Sequence, residues 1–335
     1  MKAIHFDTPG DPDVLRWVDR PDPSLAPGEV LIAVRSAGVN RADVLQRRGL
    51  YPPPPGASST LGLEAAGHVL AIASPTAASD PLPAWLKVGQ PVMALLAGGG
   101  YAEQVAVPVG QVLPIPNSVS LEEAGALPEV FLTAFLNLFH VGGLPFGSGQ
   151  SARVLIHGGA SGVGTAAIQL CHAAGLITYC TVGDAARAQR CLKLGAHAAW
   201  NYRETDFHAQ VLQATRGAGV DLILDCIGAE YLDRNLRSLA LDGRLVLIGL
   251  MGGSQANLDL ALLLRRRIQM LGSTLRALPT ARKAALCADF ATRALPLFER
   301  GALRPIVDQT FPMAAAAFAH RALDSAHFGK LVLVR

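Results

Sequence analysis

Residues 157–164, HGGASGVG, carry four glycines in eight positions and no lysine or arginine. The stretch follows the apolar run ARVLI and precedes the helix-like GTAAIQLCHAAG. The first turn of a helix leaves backbone N–H groups unpaired, and its dipole favours an anion. Glycine lets a phosphate come close to that backbone. No lysine follows the last glycine, so the GK[ST] of a nucleotide-hydrolysing loop is missing and a dinucleotide pyrophosphate fits better. The spacing Gly159-x-x-Gly162-x-Gly164 is not the commoner GxGxxG. Outside a strand–helix–strand setting it would pass for a ligand-free turn, and the setting here carries the assignment.

The strand after that helix decides which dinucleotide. It ends in TYCTVGD, with Val182 or Gly183 at its tip and Asp184 just beyond. A carboxylate at the tip would accept from the ribose hydroxyls of NADH. A tip without one leaves room for a 2′-phosphate, and Arg187, three residues on, could pair with it. Lys193 and Tyr202 follow nearby. Asp184 argues for NADH, or it caps the next helix, the commoner role for aspartate there. The balance favours NADPH.

Metal and covalent chemistry find less support. The five cysteines (171, 180, 191, 226 and 287) are an odd number with no CxxC, and they read as reduced, buried thiols. Nine histidines supply neither HxxxH nor HExxH, and His68 and His157 read as core or turn residues. No ordered Ser-His-Asp or Cys-His set appears.

These residues need a scaffold. At 335 residues and 50% hydrophobic, the chain has material for two packed domains. A net charge of +3 excludes a nucleic-acid footprint. No apolar run spans a bilayer, and Met1 leads straight into the strand-like KAIHF. The expectation is a soluble cytoplasmic protein. Up to about residue 120 the chain reads as short strands: GEVLIAVRSAGV (28–39), AAGHVLAI (65–72), KVGQPVMALL and YAEQVAVP. A short helix lies at 40–49, with Asn40 as candidate cap and Gly49 as stop. YPPPPGASS (51–59) cannot be helix or central strand, and SPTAASDPLP (74–83) reads as a surface loop. After Leu121, apolar strands alternate with helices, which implies a doubly wound parallel sheet. YLDRNLRSLALD reads as helical, IQMLGSTL (268–275) as a possible further strand, and ARKAALCADFATRALPLFERG as one late helix.

ASGVGTAAIQL, LDCIG and GRLVLIGLMGG, placed after a strand-rich N-terminal part, resemble the medium-chain dehydrogenase/reductase superfamily. NRADVLQRRGLYPPPPGAS, LGLEAAGH, LPEVFLTAF, NYRETDF and the closing GKLVL are similar to its zinc-independent quinone oxidoreductase branch. The resemblance implies a GroES-like catalytic domain from residues 1–121 and 269–335 around a Rossmann domain at 122–268. It also implies NADPH in the cleft between the domains and a homodimer through the Rossmann domain. Thr133 would lie near the nicotinamide phosphate, with Gly159, Ser161, Gly162, Val163 and Gly164 at the pyrophosphate. Gly183, Arg187 and Tyr202 would surround the adenosine phosphate, and Cys226 and Ile227 the adenosine ribose. Leu250, Met251 and Gly252 would flank the nicotinamide, and Gly329 and Lys330 would close over the cofactor.

Where the zinc-dependent branch has a cysteine and a histidine, this chain has Asn40 and Leu63, and neither replaces a thiolate or an imidazole on zinc. The cysteine lobe of the structural zinc is also absent, and Glu64 alone makes no site. Without a Lewis acid, oxidation of a simple alcohol is difficult, whereas a quinone or activated enone is already electrophilic. The expectation is hydride transfer from NADPH to a quinone. Asn40 and Tyr51 are candidate donors to the oxygen that gains charge, while Asp43 reads as a first-turn acid. Two other readings are an enone or enoyl reductase and a non-catalytic NADPH-binding sensor.

Overall fold

Alternating and continuous apolar runs sort the strands into two different sheets. In the computed structural model, which describes residues 1–75, 82–147 and 151–335, the chain packs as two units. One is Met1–Leu132 with Leu275–Arg335, and the other is Thr133–Thr274. The expected joints at 121/122 and 268/269 thus fall earlier than the observed ones. The helix at Leu121–Ala124 packs on first-unit strands, and Gln269–Gly272 pairs into the second unit's sheet.

The first unit begins with β1 (Lys2–His5) paired to β2 (Arg16–Asp19). Next come β3 (Glu29–Val39), α1 (Arg41–Arg47), β4 (Glu64–Ile72), β5 (Pro91–Leu95), β6 (Gln104–Pro108) and β7 (Val112–Pro114). β3 alternates buried and part-exposed positions from Glu29 to Val34, then buries both faces at Ala37–Val39 where α1 begins. α2 (Leu121–Ala124) and α3 (Pro128–Phe135) follow, and α3 continues as a π-helical turn at Leu136–Val141. Residues 76–81 of the expected surface loop lie outside the described residues.

The second unit alternates strictly. Its elements are β8 (Arg153–Ile156), α4 (Gly162–Ala173), β9 (Ile177–Val182), α5 (Ala185–Lys193), β10 (Ala198–Asn201) and α6 (Phe207–Ala214). They continue with β11 (Val220–Asp225), α7 (Leu232–Ser238), β12 (Leu239–Leu247), α8 (Leu260–Arg266) and β13 (Gln269–Gly272). All pairings are parallel, in the order β10-β9-β8-β11-β12-β13. The order reverses between β8 and β11, where ligands bind in doubly wound sheets. Leu155, Ile223, Leu245, Phe207 and Leu236 anchor this unit's core. Expected helix gives way to strand at LALDG, because Leu239 pairs with Val220 and starts β12.

The chain then returns to the first unit through α9 (Thr280–Arg293), α10 (Leu295–Glu299), β14 (Val307–Pro312), α11 (Ala316–Leu323) and β15 (Lys330–Val334). The single late helix is therefore two. Pro296, at the start of α10, lacks a donor and disfavours helix in the residue before it. β15 lies between β14 and β3 in a sheet ordered β14-β15-β3-β4-β5-β7, with β6 also on β3. Both ends of the sequence thus build one core, around Val30, Ile32, Val92, Leu331 and Leu333.

Candidate functional site

In the second unit, Gly158 turns the chain at φ 69°, and Ser161 caps α4, its hydroxyl accepting from the Gly164 N–H at 3.0 Å. The amides of Gly162 and Val163 have no partner among the described residues. Two donors at the positive end of a twelve-residue helix make an anion cradle. The glycines here have separate reasons. A Cβ on Gly164 would collide with the Gly158 carbonyl oxygen, and one on Gly159 would lie 2.8 Å from the Cys180 side chain. The first keeps the turn tight, and the second lets α4 pack close to β9.

At the tip of β9, Gly183, Arg187 and Tyr202 converge. A Cβ on Gly183 would sit 2.8 Å from Arg187 Nη2 and 3.4 Å from the Tyr202 hydroxyl. Asp184 caps α5, accepting from the Arg187 N–H at 2.8 Å and from Arg187 Nε at 2.7 Å. Those hydrogen bonds hold its carboxyl below the ordinary aspartate range. Asp184 therefore orients the guanidinium, leaving Nη2 beside Gly183. A guanidinium and a phenol hydroxyl together are donors of the kind that bind a phosphate. Tyr202 is 42% exposed.

The loops after β11 and β12 are zipped together. The Met251 N–H donates to the Cys226 carbonyl at 3.1 Å, Gly252 to Ile227 at 2.7 Å and Ala229 to Gly253 at 3.0 Å. Leu250 and Met251 are 55% and 63% exposed, an apolar lip that a flat ring can cover. Beneath it lies a network that sequence reasoning missed. Asp225 accepts from the N–H of Ile227 at 2.7 Å and from Asn235 Nδ2 at 3.1 Å. Burial pushes its carboxyl up to about 6. Because the Asn235 nitrogen faces this carboxyl, its oxygen faces His157 Nε2 at 2.7 Å and must accept. His157 Nδ1 then accepts from the Thr181 hydroxyl at 3.0 Å. The ring is buried against Phe207 and Tyr231, which pushes its pKa down to about 4. His68, by contrast, is exposed on β4.

In the first unit, the Asn40 amide differs from its expected role. It starts α1, but Nδ2 donates to Glu64 Oε1 at 3.0 Å and to the Gly38 carbonyl at 3.3 Å. Its oxygen accepts from Lys330 Nζ at 2.6 Å. Both amide hydrogens are committed, so none remains for a substrate oxygen in this arrangement. Asp43 supplies the reciprocal contact, accepting from the Asn40 N–H at 2.9 Å, from Gly62 N–H at 2.9 Å and from the Tyr101 hydroxyl at 3.2 Å. It is fully buried, and burial pushes it up to about 6. That is more than a first-turn acid does.

Lys330 sits inside the first unit. It is 4% exposed and gives its three hydrogens to the Val39 carbonyl (2.7 Å), Asn40 Oδ1 and Glu64 Oε1 (2.7 Å). In this arrangement its ammonium is committed within the first unit. Gly329 is explained locally, since at φ 95° a Cβ would collide with the Ile306 carbonyl. Tyr51 is half-buried beneath Arg276, whose guanidinium carbon lies 5.4 Å from the ring centre. Thr133 opens the second unit, and its carbonyl accepts from Asn137 Nδ2 at 2.8 Å. The described residues contain no cluster of three or more His, Cys, Asp or Glu arranged to hold a metal ion. All five cysteines are free thiols.

Two family models match the chain: the alcohol dehydrogenase GroES-like domain over residues 26–117 and the zinc-binding dehydrogenase over 162–291. The chain is 30% identical to the human synaptic vesicle membrane protein VAT-1 homolog, across 97% of this chain and 84% of that protein. Among solved structures, Escherichia coli quinone oxidoreductase complexed with NADPH superposes over the whole of both chains, at 28% identity and a TM-score of 0.87. CurK enoyl reductase covers 99% of this chain and 98% of its own, at 26% identity and a TM-score of 0.83. The chain belongs to the medium-chain dehydrogenase/reductase superfamily. It is an oxidoreductase of that group, with a GroES-like β-rich unit and a Rossmann unit of the NAD(P)-binding kind. No helix among the described residues is long and apolar enough to cross a membrane.

Proposed function

We propose that this protein is a zinc-independent reductase that uses NADPH to reduce a quinone or a similar electrophile. The observation that carries the reading is the convergence of Gly183, Arg187 and Tyr202 at the tip of β9, with Asp184 turned into a support for the arginine. That arrangement favours a 2′-phosphate over bare ribose hydroxyls. When bound, NADPH supplies a hydride. The chain's own residues bind and orient it: Gly162 and Val163 amides on the pyrophosphate, and Thr133, Cys226, Ile227, Leu250, Met251 and Gly252 towards the ribose and nicotinamide.

Zinc independence is supported by the buried ammonium of Lys330. It lies 2.6 Å from Asn40 Oδ1, at the position where the zinc-dependent branch has a cysteine, and 2.7 Å from Glu64 Oε1, next to the position of its histidine. A fixed cation there repels a second one. Tyr51 is the donor to the substrate oxygen, while Asn40 acts as a positioning residue that holds Glu64 and Lys330. The homodimer through the Rossmann unit belongs to the same proposal.

Likeness to CurK enoyl reductase supports a second reading, hydride delivery to the carbon of an enone. Steady-state oxidation of NADPH and NADH across a panel of quinones and enones tests both. The account expects NADPH preferred and quinones turned over faster. Preference for NADH would overturn the cofactor assignment, and enones alone turning over would establish the second reading. NADPH binding without any turnover would leave a sensor.

A further inference from the structure

The segment YPPPPGASS (51–59) has four consecutive prolines and so four positions without a backbone N–H. Between Tyr51 and Ala57 the described residues make one backbone hydrogen bond, from the Ala57 N–H to the Pro54 carbonyl at 3.0 Å. Neither a ladder nor a helix holds Tyr51 in place, so its orientation depends on what its side chain touches.

That contact comes from the far end of the chain. The guanidinium carbon of Arg276 lies 5.4 Å from the centre of the Tyr51 ring, within the range at which an aromatic face attracts a cation. The guanidinium is itself anchored twice. Nε donates to the Ala97 carbonyl at 2.8 Å and Nη2 to Gln46 Oε1 at 2.7 Å. Gln46, on α1, in turn donates from Nε2 to the carbonyl of Ser59 at 2.8 Å, the last residue of the same segment. Arg276 is 3% exposed and its Nη1 has no hydrogen-bond partner; the negative face of the phenol meets the charge instead. Tyr51 differs. It is half-buried, and its hydroxyl makes no hydrogen bond among the described residues, yet it is not sealed from solvent as Arg276 Nη1 is. One face of the ring is held while the hydroxyl stays uncommitted.

We propose that Arg276 is a positioning residue for Tyr51: anchored by Gln46 and Ala97, it holds the ring from one face so that the hydroxyl is preorganised to donate to the substrate oxygen that gains charge. The proposal rests on the reductase reading above, with Tyr51 as the donor. A fixed cation also stabilises negative charge drawn onto the phenol oxygen, which makes the hydroxyl a stronger donor. Burial pushes the phenol up, Arg276 draws it down and Glu129 raises it. Without the arginine the phenol becomes a weaker acid and a looser one.

The test is a double-mutant cycle with a titration that needs no cofactor. Arg276→Met should lower kcat about 10-fold, with NADPH affinity unchanged. In a Tyr51→Phe background the same change should have almost no effect, because the hydroxyl it acts through is gone. Arg276→Lys keeps the charge but not the planar fork that reaches both anchors, and should recover only part of kcat. Ultraviolet titration of the cofactor-free protein follows its five tyrosines, and the ionisation missing from Tyr51→Phe should move to higher pH in Arg276→Met. Gln46→Met cuts one anchor and leaves the arginine, so it should shift kcat and the titration the same way by less, a reading that survives if Arg276→Met fails to fold. Losses of kcat that multiply across the cycle, or a Tyr51 ionisation unmoved in both variants, overturn this proposal alone. Wild-type kcat in Tyr51→Phe removes Tyr51 as the donor and this proposal with it. No NADPH turnover by the wild type on any electrophile overturns the reductase reading itself.

Discussion

Replacing Arg187 by alanine removes the one guanidinium at the tip of β9. Its Nε is fixed by Asp184 at 2.7 Å, and its Nη2 is aimed at the space Gly183 leaves open. Preorganisation of this kind avoids the cost of ordering a long side chain on binding. A hydrogen bond between charged groups contributes about 1.5–3 kcal/mol, which corresponds to about 10- to 100-fold in affinity. The variant also leaves Asp184 without its guanidinium partner, and its carboxylate would repel a 2′-phosphate. NADPH should therefore weaken by at least that factor while NADH stays nearly constant. Quenching of protein fluorescence by each nucleotide measures both constants on one sample. Equal loss for the two cofactors would refute the assignment, because it would mean that Arg187 supports the fold and does not read the phosphate.

Gly164→Ala forces a methyl group against the Gly158 carbonyl, so it should cost about 1–3 kcal/mol in denaturant melts and weaken NADPH binding as the turn shifts. Lys330→Met leaves Glu64 buried without its cation and should destabilise the fold by about 3–5 kcal/mol, read from the same melts. Tyr51→Phe should reduce kcat by about 100-fold with NADPH affinity intact, as loss of one oxyanion donor does. His157 is held near 4 in the fold and titrates near 6.5 when unfolded. Below pH 6.5 the unfolded chain takes up a proton that the fold refuses. Stability should therefore fall between pH 6.5 and 4 by about 3 kcal/mol from this residue, and His320, pushed down to about 3, adds in the same direction. Thermal melts of His157→Gln across that range should show a shallower fall.

The second unit was legible because its signals are local. Apolar runs, glycine stops and the Ser161 and Asp184 caps are each set by a few adjacent residues. The glycine loop after β8 was read from that alternation, whereas the loops after β11 and β12 came from the family resemblance and the strand order from the structure. The first unit was harder to read, because its polar centre joins residues far apart in the chain: Asn40, Glu64, Glu129 and Lys330. Asn40 reads as a cap from its neighbours. Only the return of β15 alongside β3 brings an ammonium to its oxygen. The Asp225–Asn235–His157–Thr181 network was hidden for the same reason, since each member lies on a different element.

The central claim is that NADPH reduces its acceptor here without a metal. Its most direct test is the rate of NADPH oxidation by a simple benzoquinone before and after chelator treatment, with zinc measured by mass spectrometry on the same protein. The account predicts an unchanged rate and far less than one zinc per chain. Stoichiometric zinc, with turnover lost on its removal and restored on its return, would contradict it.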